Sequence, residues 1–393
     1  MAEWKKTTLE KCTDILGDGL HGTPKYTEGG EYAFINGNNL VNGEILIKKD
    51  TKRVDYSQYE KYKKPLTNRT LLVSINGTLG NVGMYNSEKI ILGKSACYFN
   101  VKEFVDKDFI YYVVSSPIFR QYLEHSATGT TIKNISLKQM REYDFLLPPI
   151  EEQKQISSVL KMIDEKIKNN RRVNENLEQQ AQVIFANMFD ESNTTQATIS
   201  DVSLNVTDGV HNTVHDDPEG EYLLLSCKNI KGGSLNIGTS ERRISRDTFE
   251  KLRRRTKLSK GDVLISSVGT IGELLLLNNE PLNYEFQRSV AMVKPNPSVV
   301  SSAYLYESLL SNRAKLINSA HGAVQQCLFI SDIAEFPIRI PQQDILSEFD
   351  TIVTPMLDIV TANENENIKL SQLRDTLLPK LMSGEIDVSD LEF

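Results

Sequence analysis

No run of apolar residues in this chain approaches the roughly 20 that a membrane-spanning helix requires. Met1-Ala2-Glu3-Trp4-Lys5-Lys6 leads into no apolar signal-peptide core, so a cytoplasmic location is expected. Cysteine is scarce: Cys12, Cys97, Cys227 and Cys327 stand alone with no Cys-x-x-Cys. That argues against a disulfide framework or a zinc site and for buried or inert thiols. Net positive charge is absent as well, with 45 Lys and Arg against 52 Asp and Glu for a balance of −7. Taken alone, this weighs against a phosphate-binding partner, because such binding relies on Lys and Arg.

Recognisable catalytic chemistry is also missing. The chain has no Asn-Pro-Pro-Tyr or Asp-Pro-Pro-Tyr element, no glycine-rich strand-to-helix turn for a nucleotide cofactor, and no Asp…Glu-x-Lys nuclease cluster. Gly93-Lys94-Ser95 ends like a phosphate-binding loop, but Glu88 replaces the upstream glycine and Ala96-Cys97-Tyr98-Phe99 reads as strand where a helix is needed. His211 and His215 stand four apart beside Asp216 and Asp217, yet His215 matches Lys25 in a repeat described next, so a turn is the better reading than a metal site. No catalytic, cofactor-binding or metal-binding residue is nominated.

What is present is a long internal repeat. Asp18-Gly19-Leu20-His21-Gly22-Thr23 returns as Asp208-Gly209-Val210-His211-Asn212-Thr213, Gly30-Glu31-Tyr32 as Gly220-Glu221-Tyr222, and Asn39 as Asn229. Gly77-Thr78-Leu79-Gly80 returns as Gly269-Thr270-Ile271-Gly272, and Gly129 and Pro148 as Gly322 and Pro341, at a slowly growing offset. A period this long indicates two whole domains and no solenoid. A length of 393 residues agrees, since it exceeds what one core usually organises.

Charge is segregated within that plan. Acidic residues gather at Glu151-Glu152, Asp164-Glu165, Glu364, Glu366 and from Glu385 to Glu392. Bases gather at Lys48-Lys49, Lys52-Arg53, Lys61, Lys63 and Lys64, and again at Arg242-Arg243, Arg246, Arg253-Arg254-Arg255, Lys257 and Lys260. One basic run is ordinarily a solvated face, but recurrence at the same internal place points toward a phosphate-facing surface.

Each copy reads as a small α/β or α+β globule. Strands are predicted at Glu31 to Ile35, Thr70 to Ile75, Ala96 to Val101, Tyr222 to Ser226, Asp262 to Ser267 and Val290 to Lys294, and helices at Asp108 to Tyr122 and Ala303 to Asn318. A long helix follows each globule. The first carries Ile156, Val159, Leu160, Ile163, Ile167, Val173, Leu177, Ile184 and Met188. Continuous from Glu152 to Phe189 it would extend roughly 55 Å. The second carries Phe349, Ile352, Val353, Met356, Ile359, Val360, Ile368, Leu373, Leu377 and Leu381, with Pro355 expected to kink or interrupt it. Asn174-Glu175-Asn176-Leu177 and Asn365-Glu366-Asn367-Ile368 mark the helices as copies, and pairing as an antiparallel coiled coil would cover both apolar seams.

Two segments carry a family resemblance. Leu147-Pro148-Pro149-Ile150-Glu151-Glu152-Gln153-Lys154-Gln155-Ile156 and Leu373-Arg374-Asp375-Thr376-Leu377-Leu378-Pro379-Lys380-Leu381-Met382-Ser383-Gly384-Glu385-Ile386 resemble the spacer-helix entry and C-terminal signature of the specificity subunit of type I restriction-modification systems. The Asp-Gly-x-His-x-Thr and Gly-Thr-x-Gly turns are similar to elements of its target recognition domains. Gln342-Gln343-Asp344 departs from the Pro-Ile-Glu-Glu-Gln wording at the second helix.

The resemblance implies target recognition domains at 1–149 and 191–341, a central spacer helix at 150–190 and a second spacer helix and tail at 342–393, arranged with pseudo-twofold symmetry. It implies a chain that reads an asymmetric bipartite target in double-stranded DNA and binds two modification subunits and restriction subunits. S-adenosylmethionine, ATP and Mg2+ would belong to those partners and no cofactor to this chain. Candidate base readers are Asn36, Asn38, Asn39, Asn76, Thr78 and Lys133 in the first copy and Lys228, Asn229, Ser267, Gln325 and Gln326 in the second. Candidate phosphate holders are Lys48, Lys49, Lys52, Arg53, Lys63 and Lys64, then Arg242, Arg243, Arg253, Arg254, Arg255 and Lys257. A self-sufficient DNA methyltransferase with a divergent cofactor site and a protein-binding scaffold remain as alternatives.

Overall fold

The computed structural model describes residues 4–129, 132–238, 240–322 and 326–388. It is mixed helix and sheet and divides into two compact units. Unit 1 takes the described residues through Lys168 and again from Ile368 onward, and unit 2 spans Asn169–Asn367.

In unit 1 a four-stranded antiparallel sheet is ordered Thr13–Asp18, Ala96–Val101, Thr70–Ser74, Val82–Met84. Its middle strands, ACYFNV and TLLVS, are buried at every position. This is why they read as unbroken apolar runs and not as alternating ones. A smaller sheet pairs Tyr32–Ile35 antiparallel with Arg53–Val54 and parallel with Ile90–Leu92. Lys5–Thr8 pairs with Asp144–Leu147, closing the globule on itself.

Unit 2 repeats the plan strand for strand. Ser203–Asp208, Val290–Pro295, Val263–Ser266 and Leu274–Leu276 form the larger sheet, and Arg242–Ile244, Tyr222–Leu225 and Tyr284–Phe286 the smaller one. Thr194–Thr198 pairs with Pro337–Pro341. The predicted strands appear within a residue or two of their expected ends.

The two shorter predicted helices are each broken in two. Lys107–Ser115 stops where Ser116 caps Pro117–Ser126, donating its hydroxyl to Val113 and accepting from the Phe119 amide, with Pro117 at the first helical position. Ser302–Ser311 and Arg313–Asn318 meet at Asn312.

The long helices run Ile150–Met188 and Gln343–Ser383. Pro355 does not interrupt the second, contrary to expectation: it lies on the exposed face, as does Thr351, whose carbonyl loses its helical partner and can turn to water. The apolar stripes also merged two faces. Val353, Leu357 and Val360 point inward, whereas Ile352 and Ile359, one residue or roughly 100° round the helix, are exposed, as are Val173, Ile368 and Leu373.

Within unit 1, Ile156 and Leu160 share the core with Leu378 and Leu381, and Arg374 donates to Asp164 at 2.8 Å. Within unit 2, Ala181 and Phe185 pack with Leu346, Phe349, Val353 and Leu357. The seam there turns polar at two buried asparagines. Asn170 donates to Glu366 and Asn367 at 2.7 and 3.0 Å, while Asn174 donates to the Val360 carbonyl at 3.2 Å and accepts from Asn363 at 2.8 Å.

Candidate nucleic-acid interface

The repeated Asp-Gly-x-His turn has the same construction in both units. His21 Nε2 lies 2.5 Å from Asp18 Oδ2, and His211 Nε2 lies 2.5 Å from Asp208 Oδ2. The Leu20 amide donates to Leu92 and that of Val210 to Phe286, tying each turn to the strand beyond it. Glycine is required between Asp and the tied residue: a Cβ at Gly19 or Gly209 would stand 2.3 or 2.1 Å from those same carbonyl oxygens.

Around this turn the unit 1 loops converge through their own backbone. The Gly37 amide donates to Ser95 Oγ at 2.9 Å, Ser95 Oγ donates to Asn36 Oδ1 at 3.0 Å, and the Ile75 amide donates to the Ser95 carbonyl at 2.9 Å. Asn76 donates to Asn134 at 3.1 Å, and the Gly77 amide to the Lys133 carbonyl at 3.0 Å. Asn36, Asn76, Thr78 and Lys133 therefore lie in one loop cluster, with Asn38 exposed beside Asn36. Asn39 is buried and holds the turn, accepting from the Asn36 amide and donating to the Leu46 carbonyl, both at 3.0 Å.

Unit 2 builds the same cluster. The Cys227 amide donates to Ser289 Oγ at 3.0 Å, the Ser267 amide to the Ser289 carbonyl at 2.9 Å, and the Leu328 amide to the Ser267 carbonyl at 2.9 Å. Asn229 is 1% exposed and donates to the Asn236 carbonyl and to Glu241. Ser267 is buried, with its hydroxyl on the Arg288 carbonyl. Lys228 is exposed and pairs with Glu241 at 2.9 Å. Gln326 is exposed on the loop end next to Cys327, and Gln325 lies outside the described residues. All four cysteines are free thiols: Cys12 and Cys97 are buried, and Cys227 and Cys327 partly so.

The nominated cations separate into two groups. Arg53 and Arg243 donate to the carbonyls of the matched residues Gly30 and Gly220. Arg253 joins buried Glu285 and the carbonyls of Pro281 and Tyr284; burial pushes the Glu285 carboxyl up although Arg253 opposes it. Arg255 donates to the carbonyls of Asp208 and Gly209, bracing the turn. Arg242 holds Asp216 at 2.6 Å and the Val214 carbonyl at 2.7 Å. Lys48, Lys49, Lys52 and Lys257 are exposed with no ion pair among the described residues, and Lys64 is half-buried. Lys63 pairs with Glu60, and Arg254 lies 3.8 Å from Glu250.

Two residues absent from the nominations stand in the clusters. Lys94 and Arg288 are both exposed and immediately precede the matched serines Ser95 and Ser289. They correspond at an offset of 194 residues, whereas the flanking sequence matches run at 192 and 193. A search for a basic residue followed by serine ahead of a buried strand in both copies would have found them.

A family profile described as type I restriction modification DNA specificity domain matches residues 1–179 and 212–370. The chain is 26% identical over 430 aligned residues to the type I restriction enzyme MjaIX specificity subunit of Methanocaldococcus jannaschii, across 99% of this chain and 95% of that one. It is 21% identical to the EcoBI specificity subunit of Escherichia coli, across 89% and 81%. Among solved structures, the type I restriction-modification S subunit from M. genitalium is similar in fold, with a TM-score of 0.59 at 20% identity, covering 97% of this chain and 96% of that chain.

Proposed function

The chain belongs to the type I restriction modification DNA specificity family, and from that membership we propose that it reads a split, asymmetric target in double-stranded DNA, one half-site to each unit. The observation that carries this reading is the pair of loop clusters, built on the same strand order and the same turn hydrogen bonds but presenting different side chains. Like frames with unlike surfaces suit two unlike half-sites, much as a dimer reads two half-sites at the spacing its geometry fixes. The long helices, paired as an antiparallel coiled coil under pseudo-twofold symmetry, set the unspecified gap. The outward cations hold phosphates, while Arg53, Arg243, Arg253 and Arg255 keep the reading frame in shape.

The same helices dock two modification subunits, with restriction subunits joining the assembly. Met162, Val183, Ile352, Ile359, Ile368 and Leu373 are large apolar side chains left exposed along them, and such residues gain from being covered by a partner. Methyl transfer to adenine N6 with S-adenosylmethionine, and ATP- and Mg2+-dependent steps, belong to those partners, and this chain is itself non-catalytic.

Co-expression with the modification subunit of its own system, followed by long-read detection of methylated adenine, tests the proposal. A split motif of fixed spacing is expected, with no methyl transfer by the purified chain alone. Methyl transfer by the chain alone, or the absence of any split motif, would defeat it.

A further inference from the structure

Unit 2 carries an open cleft of about 340 Å³ beside its Asp-Gly-x-His turn, lined among others by His211, Asn212, Thr213, Arg242, Gln287 and Arg288. The backbone at its mouth is fixed on both sides. The Gln287 amide donates to the Leu225 carbonyl at 2.8 Å, and that of Arg288 to the Val210 carbonyl at 3.1 Å. The Arg288 guanidinium is exposed and has no partner among the described residues.

Unit 1 has the same frame with different contents. The bridges Leu20 to Gly93 and Val210 to Gln287 are equivalent, which places Gly93 opposite Gln287 and Lys94 opposite Arg288. A side chain at Gly93 would displace its neighbours, since its Cβ would stand 2.3 Å from Asn36 Oδ1 and 2.9 Å from Phe34 Cζ. The equivalents of Phe34 and Asn36 in unit 2 are Leu224 and Ser226, smaller in both cases, and Gln287 takes the room they leave. Tyr26 packs on Phe34 at 5.8 Å in unit 1, whereas Asp216 at the equivalent place holds Arg242. Around the constant Asp, His and Thr of the turn, the positions that differ between the units include Gly22 or Asn212, Gly93 or Gln287, and Lys94 or Arg288.

We propose that Gln287 and Arg288, flanked by Asn212, are specificity-determining residues that read base edges of the half-site taken by unit 2, with Arg288 on a guanine. This rests on the DNA-reading function proposed above. Arg presents a planar fork that matches guanine O6 and N7, and Gln one that matches adenine N6 and N7. A phosphate contact would ask for charge alone, which leaves Gln287 and the cleared space in front of it without a purpose.

The test is methylated-adenine mapping by the assembled methyltransferase carrying Gln287→Ala, Arg288→Ala or Arg288→Lys, beside the wild-type complex. Each variant is expected to relax one position of one half-site, a G·C pair for Arg288, with the ratio of cognate to substituted methylation falling roughly ten-fold. The other half-site and the gap stay as they are. Arg288→Lys is the decisive variant, because it keeps the charge and loses the fork. An unchanged motif in all three, or equal weakening at every sequence with Arg288→Lys behaving as wild type, overturns the cleft as a base reader. If the wild-type complex itself writes no split motif, the DNA-reading function falls and the cleft with it. Melting temperatures equal to wild type are expected for the Arg288 variants, whose side chain has no internal partner among the described residues.

Discussion

Among single residues, Glu307 is the most out of place. It is 1% exposed and its Oε2 meets no hydrogen-bond partner among the described residues. Burial, with the charge of Glu178 added, pushes its carboxyl up to about 8, and burial beside Glu364 and Glu175 pushes Glu178 up to about 7. Both values lie above the 4.5 of an unfolded glutamate, so the folded state holds protons that the unfolded state releases. The stability these groups contribute is complete below pH 4.5 and is lost as pH rises toward 8. Melting of unit 2 should therefore fall across that window, and Glu307→Gln should flatten the slope and raise the melting temperature at pH 8 by roughly 3 °C for each kcal/mol recovered. A variant with the wild-type pH slope in calorimetry would show that Glu307 is not the group responsible. Arg253, Arg254 and Arg255 show what sequence leaves unread at this scale. They form one basic run on paper, but successive residues of the helix Arg246–Thr256 point about 100° apart, so one faces a buried carboxylate, one solvent and one the turn at Asp208.

Among the elements, the long helices were legible because apolar periodicity and a proline-acidic start survive any tertiary context: Glu152 to Phe189 was expected and Ile150–Met188 is found. Their inward faces were less so, since a stripe at three- and four-residue spacing cannot separate neighbouring faces without the partner. The asparagine seam was visible only as a repeated motif, not as a buried network. Asn174→Ala should remove the acceptor of the half-buried Asn363 amide and the side-chain bond to the Val360 carbonyl, which keeps its place in the helix ladder, lowering stability by about 1 kcal/mol in chemical denaturation. An unchanged midpoint would mean that water replaces the side chain. Such polar pairs fix register where apolar ones can slide, so Asn174→Leu is expected to show less uniform packing in the near-ultraviolet circular dichroism signal even where it melts higher. The breaks at Ser116 and Asn312 are hidden for the opposite reason: apolar spacing continues across them, while the Ser116 cap interrupts the first helix and the backbone turns at Asn312, whose side chain donates back to the Ser308 carbonyl, in the second.

In the whole molecule, duplication was plain in the sequence because the turns that hold each frame keep their Asp, Gly, His and Asn. The proposed reading surface is not, because side chains there differ between copies and the offset grows past the value at which neighbouring matches align. Asn39 and Asn229 illustrate the difficulty: both hold turns, and an asparagine that holds a turn has the same donor and acceptor edges in sequence as one that meets a base. The division into units has a consequence for the order in which the protein is made. Unit 2 is one unbroken stretch, Asn169–Asn367, whereas unit 1 needs Leu378, Leu381 and Val388 in its core. On the ribosome the globule begun first is therefore completed after the other, holding an open seam until the segment from Ile368 to Val388 emerges. Cutting the chain after Asn367 should expose unit 1 amides to rapid hydrogen exchange and leave unit 2 protected, so that an early stop codon harms the half of the protein farthest from it in the gene.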